Sequence, residues 1–106
     1  MSEMPPRLQQ ILDGLEGEHC EFKQWKTKDD FDGLTKYACA LANEGGGKIV
    51  LGVADQRPRR VVGTQVWPQI EATRRSLNQR IHLTTYWEEF QTAEGRVLVI
   101  TVPRHA

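Results

Sequence analysis

The sequence predicts one α/β domain of the α+β kind, a mixed β-sheet with helices packed on it, occupying residues 1–106. Three observations carry this. Stretches with helical spacing of apolar residues alternate with short β-branched runs, the run after Lys48, 49–53, carrying no polar side chain. Gly, Pro and Asp punctuate the boundaries between them. A chain of 106 residues with 39% hydrophobic and 26% charged side chains fits one folded domain with a core of its own.

Each element has a local reason. Pro5-Pro6 opens a short helix on which Leu8, Ile11, Leu12 and Leu15 recur at helical spacing, and Gly14 and Gly17 end it by about residue 16. Residues 19–25 alternate, with Cys20 and Phe22 on one face of a strand and Glu21, Lys23 and Trp25 on the other. The segment 26–44 is the best helix. Asp29 or Asp30 serves as its N-cap, Phe31, Leu34, Ala38 and Leu41 form its apolar stripe, and Gly45-Gly46-Gly47 stops it. Lys48–Val53 reads as a central strand, and Val61-Val62 as a short further strand ending at Gly63. Pro68 is placed at the first position of a helix whose stripe is Ile70, Leu77 and Ile81. Residues 84–90 form a strand, 93–95 a hairpin turn and 97–102 the returning strand. The chain stops at Pro103–Ala106 directly after a core strand, so a longer parent protein is expected.

Composition narrows the function classes. No apolar run approaches the roughly 18 residues needed to span a bilayer, and the first ten residues have no apolar signal core, so a cytoplasmic protein without membrane contact is expected. Cys20 and Cys39 stand apart with no CxxC partner, and His19, His82 and His105 are scattered, which reads as reduced thiols rather than a zinc site. The net charge is zero, but residues 1–55 carry 6 basic and 10 acidic side chains whereas residues 56–106 carry 8 and 4. That leaves room for a basic face beside an acidic site.

Three stretches then fall in order. They are Glu16-Gly17-Glu18-His19-Cys20-Glu21-Phe22-Lys23, Ala40-Leu41-Ala42-Asn43-Glu44-Gly45-Gly46-Gly47 and Ile49-Val50-Leu51-Gly52-Val53-Ala54-Asp55, with Val61-Val62-Gly63 downstream. Taken together, from about residue 8 to 102, they resemble the Schlafen-type AlbA-like domain. The resemblance implies an AlbA-like fold and a nucleic-acid-binding domain, for DNA or RNA, within a transcriptional regulator or defence protein. It also implies a homodimer, because Schlafen nucleases build their cleft from two such lobes. In the family's nucleases two glutamates and an aspartate support metal-dependent RNA cleavage; here Glu16, Glu21 and Asp55 match those positions, with Glu18 a rival for the first. They would hold Mg or Mn, hard cations that take carboxylate oxygens and activate water. The family's vertebrate zinc-binding cysteines and histidine have no counterpart here. An oligomerisation or nucleotide-sensing module is the third reading, weakened because no Gly-Lys-Ser or Gly-Lys-Thr follows the glycine run.

Each candidate also has a plain structural reading. The glycine run is either a turn or a phosphate cradle, and Asn43 is read as capping the helix or turning left-handed. Lys23 either pairs with Glu21 or meets a phosphate, and Lys48 extends the possible cradle. Arg57, Arg59, Arg60, Arg74, Arg75 and Arg80, with no lysine after Lys48, favour bidentate phosphate contact over simple solubilising charge. Trp25, Trp67 and Trp87 either stack on bases or complete the core.

Overall fold

The computed structural model describes residues 4–14, 19–27, 29–56 and 58–105. In chain order the elements are α1 (Pro6–Leu12), β1 (Cys20–Lys23), α2 (Phe31–Asn43), β2 (Gly47–Leu51), α3 (Ile70–Ile81), β3 (Tyr86–Thr92) and β4 (Gly95–Val102). The four strands form one sheet in the order β1-β2-β4-β3. β1 and β2 are parallel, joined through α2, while β4 runs antiparallel to both β2 and β3. This is the mixed sheet with packed helices that the sequence predicts.

Local chemistry sets the helix ends. Asp30 caps α2, its carboxylate accepting from the Gly33 amide at 2.8 Å. A Cβ at Gly33 would stand 2.4 Å from an Asp30 carboxylate oxygen, so a larger residue there would make the Asp30 side chain shift. At the other end Gly46 N–H donates to Leu41 C=O at 2.7 Å and Gly45 N–H to Ala42 C=O at 3.4 Å. With Gly45 at φ +104° this is the Schellman pattern of a helix C-terminus. Asn43 is therefore the last helical residue, and Gly45 takes the left-handed position for which Asn43 was also a candidate.

Alternation along the strands gives the sheet two apolar faces. Ile49, Leu51, Leu98, Ile100 and Val102 pack under α2 and α3 with Leu34, Ala38, Leu41, Leu77 and Ile81. Val50, Val53, Val97, Val99 and Phe22 pack under α1 with Leu8, Ile11 and Leu12. On β4, Leu98 and Ile100 therefore face α2 and α3, while Val97 and Val99 face α1.

Three expectations need correction. Val61-Val62 does not form a strand; it makes one isolated bridge, Val53 with Val61. Gly52 and Gly63, at φ +95° and +86°, fold this segment back on the end of β2, where the Val62 and Gly63 amides both donate to the Gly52 carbonyl. Pro68 lies outside α3, which starts at Ile70 after Gln69. Trp67, at φ +48° and buried, first drops its ring into the core, and the helix begins only beyond that turn. β3 begins at Tyr86 rather than residue 84, because Thr85 is buried with its amide and hydroxyl both donating to the Asn78 side-chain oxygen, at 2.9 and 2.7 Å. Leu15 and Gly17 lie outside the described residues. No described helix is long and apolar enough to cross a membrane, and Cys20 and Cys39 stand on different elements with no disulfide between them.

Candidate functional site

The carboxyl ends of the parallel β1–β2 pair gather most of the predicted acid–base residues. Glu21 and Lys23 share the α2 face of β1 by alternation, opposite Ile49 and Leu51 of β2. Lys23 Nζ lies over the Tyr37 ring of α2, 4.5 Å from its centroid. The Tyr37 side chain is the largest influence holding this ammonium charged, and Glu21 and Asp55 add to it through space against the opposing effect of burial. The pKa of Lys23 is accordingly raised. Lys23 is thus seated on an aromatic ring in the field of both carboxylates, a third arrangement beside the simple pair and the open phosphate contact.

Asp55 follows β2 on a loop, its side chain 74% exposed, with Arg59 Nε at 4.0 Å. Glu16 and its rival Glu18 lie outside the described residues. Among the described residues no group of three or more His, Cys, Asp or Glu side chains is placed to hold a metal ion. Glu21 and Asp55 supply hard oxygen donors of the kind Mg or Mn takes, and Glu16 or Glu18 would have to supply the third.

The arginines divide by environment. The Arg59 side chain is only 14% exposed; its guanidinium stacks on Phe22 at 4.0 Å and donates to the Leu12 carbonyl at 3.2 Å. It ties the loop after β2 to the C-terminal end of α1, where a cation is favoured. Its Nε is buried and has no hydrogen-bond partner among the described residues. Arg74 is held by Glu71 at 3.0–3.2 Å, which also lowers the Glu71 pKa. Arg80 lies 3.8 Å from Asp32 and over the Phe31 ring. Arg60 and Arg75 are exposed. Arg57 lies outside the described residues.

A further arginine, Arg96, carries a structural role that the sequence reading passes over. It donates to the carbonyls of Val66 at 2.7 Å and Trp67 at 3.0 Å and pairs with Glu89, pinning the segment before α3 to β4. The signal was present: Arg96 is in phase with Leu98 and Ile100, so its side chain had to find partners on a covered face.

The glycine run behaves as a turn, since the Gly45 and Gly46 amides go to helix carbonyls. Lys48 beside it is 9% exposed, on the α1 face. The tryptophans form an edge-on series, Trp25 to Trp67 at 6.0 Å and Trp67 to Trp87 at 6.2 Å, packed on the α2–α3 cluster. Trp87 Nε1 donates to the Thr85 hydroxyl at 2.9 Å. The three rings complete the core.

Comparison with known proteins supplies the rest. No curated protein matches the chain. Among solved structures, it is similar to the DIP2311 protein of Corynebacterium diphtheriae, with TM-score 0.67 and 21% identity, over 94% of this chain and 25% of that one. The chain thus spans a quarter of that protein's length. It is also similar to the N-terminal domain of a protein from Nitrosomonas europaea named for its relation to the ATP-dependent DNA helicase RecG, with TM-score 0.59 and 23% identity, over 94% of this chain and 72% of that one. At these identities the likenesses show a shared fold. The sequence pattern of the family described as Schlafen, AlbA_2 matches residues 16–106, all four strands with α2 and α3, and the chain belongs to that family.

Proposed function

We propose that this chain is a nucleic-acid-binding domain, acting within a regulator or defence protein and working as a dimer. The observation that carries the reading is the placing of Lys23 and Arg60 together where β1 and β2 finish. The Lys23 carbonyl accepts the Gly52 amide at 2.8 Å, and the Ala54 amide donates to the Arg60 carbonyl at 2.9 Å, so the exposed Arg60 leaves a backbone fixed beside Lys23. Open α/β sheets take ligands at the carboxyl ends of their strands. The family, and a neighbour named for a DNA helicase relative, support nucleic acid as the ligand.

Fluorescence anisotropy with labelled single- and double-stranded oligonucleotides tests this. Binding should tighten as salt is lowered, since each neutralised phosphate releases counterions. Arg60→Glu should weaken binding and flatten the salt dependence by about one phosphate contact. If the wild-type chain binds neither form at low salt, the reading fails.

A second reading, metal-dependent RNA cleavage, draws on the common field of Glu21 and Asp55 around Lys23. An Mg or Mn ion held by these two and Glu16 would supply the Lewis acid for water attack. On this reading RNA cleavage requires added divalent ion and disappears in both Glu21→Gln and Asp55→Asn. Cleavage that survives both substitutions excludes it.

A further inference from the structure

The sheet ends at β3, in the order β1-β2-β4-β3. Among the described residues, no backbone hydrogen bond reaches β3 from any segment other than β4. Register fixes which of its backbone groups are left over. The Lys48 and Gly52 amides donate to the His19 and Lys23 carbonyls on the β1 side, so residues 47, 49 and 51 of β2 turn theirs toward β4. By alternation β4 turns residues 98, 100 and 102 back to β2, and residues 97, 99 and 101 to Phe90, Glu88 and Tyr86 of β3. The backbone groups of Trp87, Glu89 and Gln91 therefore point outward from the sheet.

The side chains along this edge suit a partner strand. On the α1 face stand Tyr86, 66% exposed, then Glu88, then the partly buried Phe90. Charges in the middle of an edge strand ordinarily keep other chains away. Here both are matched within the chain. Arg7 Nη2 holds Glu88 Oε1 at 2.8 Å, and Arg96 pairs with Glu89.

We propose that β3 pairs antiparallel with β3 of a second copy of the chain, about a two-fold axis at Glu88, so that two sheets become one. The inference rests on the dimer reading above and names its surface. This register is self-complementary. The outward groups of Trp87 and Glu89 meet those of Glu89 and Trp87 in the second copy. Tyr86 comes to lie opposite Phe90 on the same face, twice, as the aromatic cross-strand pairs that stabilise sheets do. The two Glu88 carboxylates meet at the axis with an Arg7 beside each, so the centre holds two anions and two cations. An axis one residue further on, at Glu89, would set Tyr86 opposite Thr92 and leave the rings unpaired. Pairing like with like also uses up both edges, which closes the assembly at two copies.

The test combines sedimentation equilibrium over a range of protein concentrations with cysteine cross-linking, urea midpoints confirming that each variant folds. Wild type should dimerise as concentration rises. Tyr86→Ala should raise the dimer Kd by roughly 2- to 30-fold, since two aromatic pairs are lost per dimer. At the axis the Cα atoms of residue 88 should stand about 4.5 Å apart, within the roughly 4.4–6.8 Å that a disulfide spans. Glu88→Cys, oxidised mildly with oxidised glutathione, should therefore give a covalent dimer that mass spectrometry shows to be linked at residue 88. Gln91→Cys should give no link at residue 91, where the two copies are roughly 20 Å apart. If Glu88→Cys fails to fold, Tyr86→Ala, which changes an exposed side chain, decides alone. If wild type dimerises, Tyr86→Ala dimerises equally well and no link forms at residue 88, this surface is wrong while the dimer reading stands. Equal cross-linking of Glu88→Cys and Gln91→Cys also overturns the proposal. If wild type stays monomeric at every concentration, the dimer reading fails and this one with it.

Discussion

The two faces of the sheet obey the same alternation but are covered unequally, and that inequality decides what a polar residue on each can do. Under α2 and α3, three polar intruders are matched: Lys23 sits on Tyr37, Arg96 on two carbonyls and Glu89, and the Trp87 N–H on Thr85. Beside the shorter α1, Tyr86 at the start of the edge strand β3 is 66% exposed, whereas Lys48 in the same row is only 9% exposed. A charged or aromatic side chain in phase with the core is thus structural where it is covered, and Tyr86 marks where the cover ends.

The comparison can be broken first in the core. Leu34→Ala, in α2, and Leu8→Ala, in α1, both remove a side chain with no exposed surface and should each cost about 2–5 kcal/mol in urea unfolding. A loss near zero for Leu8→Ala would mean that α1 does not cover its face. Next, Arg96→Met should cost about 2–3 kcal/mol, since it leaves buried carbonyls and Glu89 without their donor. Arg60→Glu, on an exposed arginine, should stay within about 0.5 kcal/mol of wild type. Equal costs for the two arginine variants would erase the division between covered and open positions.

Gly95→Ala should cost about 1–3 kcal/mol, because φ is +134° and a Cβ would approach the Gly63 Cα to 2.8 Å. The smallest effect concerns pH. Arg7 lowers the Glu88 pKa, chiefly by hydrogen bonding and then by its charge, with a further contribution from Lys48. A depressed carboxylate contributes stability above its unfolded pKa of about 4.3 and loses it as pH falls through the folded value. Arg7→Met should therefore lower neutral-pH stability by at most about 1 kcal/mol, the pair being largely exposed. The gap from wild type should close below the carboxylate range, and a gap that stays constant with pH would assign the Arg7 effect to packing.

Much of this was legible in the sequence. The α2 stripe, its Asp30 cap and the glycine stop follow from spacing and side-chain chemistry alone, and so do the central strand and the hairpin. The missed boundaries have a common cause: a left-handed residue and tertiary packing overrode local pattern, as at Gly52 and Gly63 for the absent strand and at Trp67 for the late start of α3. Arginine roles were harder to read. Arg59 and Arg60 are adjacent, yet one stacks on Phe22 and the other faces solvent. Only the path of the loop across α1 separates them, and no local pattern encodes that path. Tyr86 read as an ordinary strand residue because nothing local says that it begins the strand at the sheet edge, a place set by the order β1-β2-β4-β3.

The most direct test of the account is a backbone-amide NMR titration of the isotope-labelled chain with a single-stranded oligonucleotide at low salt. The account predicts saturable shifts at Lys23, at Arg60 and in the loop after β2, with the outer surface of α3 little changed apart from Arg75. Saturable binding whose shifts avoid the carboxyl ends of β1 and β2 would contradict it, and so would the absence of any shift.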